Sequence, residues 1–206
     1  MGYRAVLFDL GGVVVGSPLH AITAYEQELG IPLGSVNRVV IGTGQDGAWS
    51  RLERGELTLE PFYEAFEREC EAAGTPLSAR TLMIRVAGAT VPRPAMLEAI
   101  RRIRAQGLIA AAITNNWIAE EGSAGALGHL FDLVVESAVE GIRKPDPRIY
   151  EAACARLGIA PGEAVFLDDI GTNLKTAKRL GMTTIKVTDP DAALAELEGM
   201  LGFPLR

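Results

Sequence analysis

The chain has 206 residues, 48% of them hydrophobic and 22% charged, which excludes a disordered polypeptide and a small disulfide scaffold and leaves room for one domain with a sizeable insertion or two small ones. Lys and Arg number 20 against 26 Asp and Glu, a formal charge of −6 without a dense basic run, so neither nucleic acid nor an anionic membrane is an expected partner. No stretch approaches the ~18 to 20 apolar residues of a membrane span, the N-terminus opens on an apolar strand rather than a basic leader, and Cys70 and Cys154 sit alone in helical patterns, so a cytoplasmic, reduced protein is expected.

In chain order, Arg4 to Phe8 reads as an apolar strand. From about Ser17 to Ala89 helical patterns follow one another without an intervening strand, at Leu19 to Leu29, Ala48 to Arg54, Leu59 to Ala72 and Ser78 to Val86. Thr58 with Pro61 suits a helix start, and Gly42, Gly44 and Gly47 predict a loop. A helix–strand rhythm then begins. Pro94 to Gln106 leads to Leu108 to Ile113, a short strand follows at Leu133 to Val135, Pro145 to Leu157 leads to Ala164 to Leu167, and Asn173 to Leu180 leads to Met182 to Val187. Strands apolar on both faces, alternating with helices, predict an α/β fold with a doubly wound, Rossmann-like parallel sheet and an all-helical insertion after its first strand.

Ligands of such sheets bind beyond the carboxyl ends of the strands. The residues there are Asp9, then Thr114, Asn115 and Asn116, then Lys144 across a short loop, then Asp168 and Asp169. Three carboxylates held together need a compensating cation, so Asp9, Asp168 and Asp169 read as a hard-cation site, most simply for Mg²⁺. Lys144, Thr114 and the amides of residues 10 to 12 would supply positive charge and donors for a dianion against Asp9, which points to phosphoryl transfer.

The segments FDLGGVVV (8 to 15), ITNN (113 to 116), RKPDP (143 to 147) and VFLDDIGTN (165 to 173) resemble the four ordered motifs of the haloacid dehalogenase superfamily, and within it the phosphatase branch represented by the N-terminal domain of soluble epoxide hydrolase. The resemblance implies a core formed by residues 1–16 and 90–206 with a C1-type helical cap at 17–89. It implies a hydrolase that cleaves a small phosphorylated metabolite through an aspartyl phosphate. Asp9 then corresponds to the nucleophile, Thr114 and Asn115 to phosphoryl-binding groups, Lys144 to the stabilising cation, and Asp169, Asp9 and the Gly11 carbonyl to Mg²⁺ ligands, with Asp168 a close supporting carboxylate.

One position departs from that pattern. Where most phosphatases of the family carry a second aspartate that protonates the leaving group, this chain has Gly11. General acid–base catalysis contributes about 10² to 10⁴-fold, or roughly 3 to 5 kcal/mol of barrier. The alternatives are therefore a leaving group that needs little protonation, an acid from the cap or substrate, or a slow phospho-ligand-binding module; a metal-independent 2-haloacid dehalogenase is a further alternative that the paired Asp168 and Asp169 disfavour. His20 and His129 lack partners at ligand spacing, Arg143 is expected to be solvated, Trp49 is expected to pack between cap helices, and Trp117 follows the second motif where it overlooks the cleft or packs.

Overall fold

The computed structural model describes residues 2–118 and 125–206. β1 (Ala5–Phe8) is followed by five helices, α1 (Pro18–Leu29), α2 (Ser35–Thr43), α3 (Ala48–Glu53), α4 (Leu59–Ala72) and α5 (Ala79–Ala89). The chain then runs through α6 (Pro94–Ala105), β2 (Ile109–Thr114), β3 (Leu133–Glu136), α7 (Ser137–Glu140), α8 (Pro147–Leu157), β4 (Ala164–Asp168), α9 (Gly171–Arg179), β5 (Thr183–Lys186) and α10 (Pro190–Leu201). The five strands form one parallel sheet in the order β3-β2-β1-β4-β5, with Phe8 in register between Ala112 and Leu167.

Side chains alternate across a strand, and both sides of β1 are buried. Val6 and Phe8 pack with Met96, Ile100 and Ile103 of α6 and Leu194 and Leu197 of α10. Ala5 and Leu7 pack with Ile149, Tyr150 and Ala153 of α8 and Leu174 and Ala177 of α9. Each large apolar side chain so buried contributes about 1.5–3 kcal/mol, which is why β1 to β4 carry no polar residue before their last position, while the edge strand β5 admits Thr183 and Thr184. Local chemistry sets the helix starts: the Asp146 and Asp189 carboxylates accept from the amides of Arg148 and Ala192 at 3.0 and 2.8 Å, and each is followed by a proline in the first turn.

The five helices between β1 and α6 carry a third apolar cluster of their own, centred on Trp49, Leu52, Phe62, Phe66, Leu82 and Val86. The Phe62 and Phe66 rings stack at 5.3 Å and Trp49 meets Phe66 edge-on at 5.4 Å. Where the chain leaves and re-enters the sheet, the Gly16 amide donates to the Val91 carbonyl and that of Arg93 to the Val14 carbonyl, both at 2.9 Å. A Cβ on Gly16 would lie 2.1 Å from the Ala89 carbonyl oxygen, so only glycine fits this junction.

Three elements differ from the sequence expectation. The glycines at 42, 44 and 47 do not make one loop: Val36 and Val39 bury one face of α2, Gly42 lies inside that helix, and Gly44–Asp46 is a 3₁₀ turn. Gly47 is required by packing, since its Cβ would stand 2.1 Å from Thr43 Oγ1. The short α7 and the C-terminal α10 were not foreseen; α10 packs beside α6 on the same sheet face and meets β5.

Candidate active site

β1 lies between β2 and β4, so the strand order reverses at its carboxyl end, the place where a parallel sheet opens a crevice. Asp9 stands there, its amide bonded to the Leu167 carbonyl at 2.8 Å. Its Oδ1 accepts from the Leu10 amide at 2.7 Å and lies 2.8 Å from Lys144 Nζ, which leaves Oδ2 for a ligand. Lys144 is 1% exposed and also reaches Asp168 Oδ2 at 2.8 Å. The fully buried Asp168 accepts further bonds from the Ile170 amide at 2.7 Å and from Asn173 Nδ2 at 3.1 and 3.0 Å, so both its oxygens are committed to holding Lys144 and the loop.

Burial raises the Asp9 carboxyl to about 7, and Asp168 and Asp169 add to the rise while Lys144 opposes it. Asp169 is raised for the same two reasons, burial and then Asp168. Burial works against the charge on Lys144, but Asp9 and Asp168 outweigh it and raise its pKa. Removing one partner of a buried ion cluster leaves uncompensated charge. Lys144→Met is therefore expected to destabilise the protein by about 3 kcal/mol, read as a lowered urea midpoint with an unchanged m-value.

Oxygens of Asp9, Asp168 and Asp169 all lie within 4.8 Å of one another, the one cluster of potential metal-binding acids among the described residues. Gly12 has φ +80°, and a Cβ there would fall 2.1 Å from Asp169 Oδ2, so the loop after β1 closes on that carboxylate only because residue 12 lacks a side chain. With Asp168 saturated by protein donors, Asp9 and Asp169 are the carboxylates left to face a cation. Hard oxygen ligands of this kind fit Mg²⁺.

Asp9, Gly11, Asn115, Lys144 and Asp169 line one cleft of about 860 Å³ between the sheet edge and the helical insertion, whose own contribution includes Ile22, Val40 and Trp49. Asn115 brackets the lysine's backbone, donating to the Lys144 carbonyl at 3.0 Å and accepting from its amide at 2.8 Å. Thr114, 4% exposed, ends β2 and is not among the cleft-lining residues.

Arg143 corrects the expectation of a solvated charge. Its Nε lies 2.6 Å from Glu53 Oε2 and its side chain is only 18% exposed, because α3 folds over the loop that carries it. Glu53 was missed altogether: an acid near the end of a helix is unremarkable in sequence, and only the docking of α3 on the core gives it partners. Asn173 stands in the sequence only as the last residue of the fourth segment and the start of a helix; its amide is a principal support of Asp168. Trp49 packs between the insertion's helices as expected and also lines the cleft, while Trp117 packs against the same cluster. His20 and His129 are exposed. Cys70 and Cys154 are buried free thiols, raised by burial to about 12 and about 11 and thus unsuited to nucleophilic work.

A carboxylate and a buried lysine at the edge of a parallel sheet, with two more acids beside them, are the equipment of a hydrolase that handles an anionic substrate. The chain belongs to the haloacid dehalogenase-like hydrolase family, whose profile matches residues 3–181. It is 45% identical over 98% of its length to acyl-CoA dehydrogenase family member 10 of Mus musculus and 36% identical over all of it to bifunctional epoxide hydrolase 2 of Sus scrofa, and spans only 20% and 40% of those two proteins. Sesquiterpene phosphatase astK of Aspergillus oryzae is 26% identical, with 97% of each chain covered. Among solved structures, a HAD-like family hydrolase from Porphyromonas gingivalis superposes with TM-score 0.68 at 22% identity, covering 96% of this chain and 98% of that one. A HAD family enzyme from Bacteroides thetaiotaomicron, in complex with magnesium and inorganic phosphate, superposes with TM-score 0.61 at 21% identity, covering 90% and 94%. Among the described residues no helix is long and apolar enough to cross a membrane.

Proposed function

We propose that the chain is a Mg²⁺-dependent phosphatase of small phosphorylated molecules that works through an aspartyl phosphate on Asp9, with residues 17–89 acting as a cap. The observation that carries this reading is Lys144 Nζ held 2.8 Å from both Asp9 and Asp168 beside the third carboxylate, Asp169. A carboxylate attacks phosphorus only when the repulsion between two anions is offset. Asp9 attacks phosphorus through Oδ2 while Lys144 and the Leu10 amide hold Oδ1, and the P–O bond to the organic group breaks, the departing oxygen taking any proton it needs from solvent because Gly11 supplies none. Lys144, the Thr114 hydroxyl and the Asn115 amide take the transferring phosphoryl group, and Asp168 holds Lys144 in place. Asp9, Asp169 and the Gly11 carbonyl would hold Mg²⁺, which when bound supplies the charge that offsets the phosphate dianion. Water then hydrolyses the aspartyl phosphate, and the cap's cleft wall screens the intermediate from bulk solvent. A cytoplasmic setting remains part of this reading.

Mg²⁺ at a hundred times its Kd should stabilise the fold by about 2.7 kcal/mol. A thermal-shift titration is expected to show that rise for the wild type, none for Asp169→Asn, and a shift to higher Mg²⁺ for Gly12→Ala, whose Cβ displaces Asp169. A wild type indifferent to Mg²⁺ would remove the metal from the account.

A further inference from the structure

Glu53 and Arg143 have no part in the chemistry above, yet they line the same cleft. Glu53 closes α3 and is 8% exposed. Its Oε1 accepts from Trp49 Nε1 on its own helix at 3.0 Å. Its Oε2 lies 2.6 Å from Arg143 Nε and 3.4 Å from Asn115 Nδ2, both on the core. Its backbone carbonyl accepts from the Ser137 hydroxyl, which in turn accepts from the Asn116 amide at 2.9 Å. Arg143 completes the link from the other side by donating from Nη1 to Ser50 Oγ at 2.6 Å, and that hydroxyl donates to the Gly44 carbonyl at 2.7 Å.

One residue of the insertion thus meets three segments of the core: the loop after β2, the start of α7, and the residue just before Lys144. A buried ion pair returns little net stability once its desolvation is counted, but it fixes geometry, since the charges have no second arrangement that satisfies them. The phosphate-binding groups have nearer supports than this pair: Asn115 touches Glu53 only at 3.4 Å but is bracketed by the Lys144 backbone at 3.0 and 2.8 Å, and Lys144 Nζ is held by Asp9 and Asp168.

We propose that Glu53 is a positioning residue that, through Arg143, sets the register of the helical insertion over the phosphoryl site and so determines how tightly the organic part of the substrate is gripped. This rests on the phosphatase reading. It separates two subsites: the phosphoryl group is bound by the core alone, and the leaving group by a wall whose placement depends on the Glu53–Arg143 pair.

The test compares Glu53→Ala, Arg143→Ala and their double variant with 1-naphthyl phosphate as substrate and inorganic phosphate as competitive inhibitor. Each single variant is expected to raise KM by roughly tenfold, change kcat by less than about threefold and leave the phosphate Ki within about twofold, with the double variant no worse than either single one. A parallel rise in Ki, additive losses or an unchanged KM would overturn the proposal. Glu53→Gln, which keeps the volume of the side chain, guards against misfolding: it should raise KM with the shape of the pH–rate profile unchanged, and loss of one limb would make Glu53 a proton-transfer group instead. The register itself is read without turnover from Trp49 emission in a Trp117→Phe background, where Arg143→Ala should shift the spectrum; no shift would overturn the proposal. A wild type without turnover contradicts the phosphatase reading and leaves this fluorescence result to stand by itself.

Discussion

Asp9→Asn is expected to lower turnover of any phosphate ester by roughly 10⁴-fold or more while leaving a folded protein. An amide oxygen is a far weaker nucleophile than a carboxylate, and the two neighbouring acids have other work: Asp168 has both oxygens occupied by Lys144, Asn173 and Ile170, and Asp169 is the carboxylate assigned to Mg²⁺ in this reading. The fold should survive because the side-chain amide oxygen introduced at position 9 can still accept from the Leu10 amide and from Lys144, and because removing one of three neighbouring acids relieves the repulsion that helps to hold Asp9 at about 7. Circular dichroism and the denaturant midpoint check the second half of this expectation. Turnover retained within tenfold would remove the aspartyl phosphate from the mechanism.

Gly11→Asp is expected to act in the opposite direction. Gly11 lines the cleft with Asp9. A Cβ there meets only Pro18, at 3.4 and 3.6 Å, and its φ lies outside the left-handed region, so a side chain fits with little displacement. An aspartate at 11 supplies the proton donor that the chain lacks, worth about 10² to 10⁴-fold for an alkyl ester with a poor leaving group. For acetyl phosphate, whose leaving carboxylate needs little protonation, the gain should be less than about tenfold. The quantity to measure is the slope of log(kcat/KM) against leaving-group pKa, steep for the wild type and flatter for the variant. Equal gains on both kinds of substrate would show that Gly11 affects something other than proton transfer.

The parallel sheet was legible because β1 to β4 are apolar on both faces and each stops at or just before a polar residue; a sheet covered by helices on both sides buries Ala5 and Leu7 on one face and Val6 and Phe8 on the other. The strand ends also exposed most of the candidate site, since the topology brings Asp9, Asn115, Lys144 and Asp169 to one edge whatever their separation in sequence. What stayed hidden depends on docking rather than on period. The glycines around α2 carry loop composition, but Val36 and Val39 find the insertion's core and hold a helix across Gly42. Glu53 and Arg143 are ordinary surface residues until α3 meets the core, and neither has a local pattern that announces the other. Asn173 reads in sequence as a helix start, and its hold on Asp168 emerges when α9 begins beside the end of β4.

The most direct test is rapid-quench capture of a phosphoenzyme: wild-type protein mixed with ³²P-labelled acetyl phosphate in Mg²⁺ or in chelator, followed by acid quench and peptide mapping. The account predicts an acid-stable, hydroxylamine-labile label on Asp9 that forms only with Mg²⁺ and is absent from Asp9→Asn. Phosphate release at a normal rate without such a label, or a label on another residue, would contradict it.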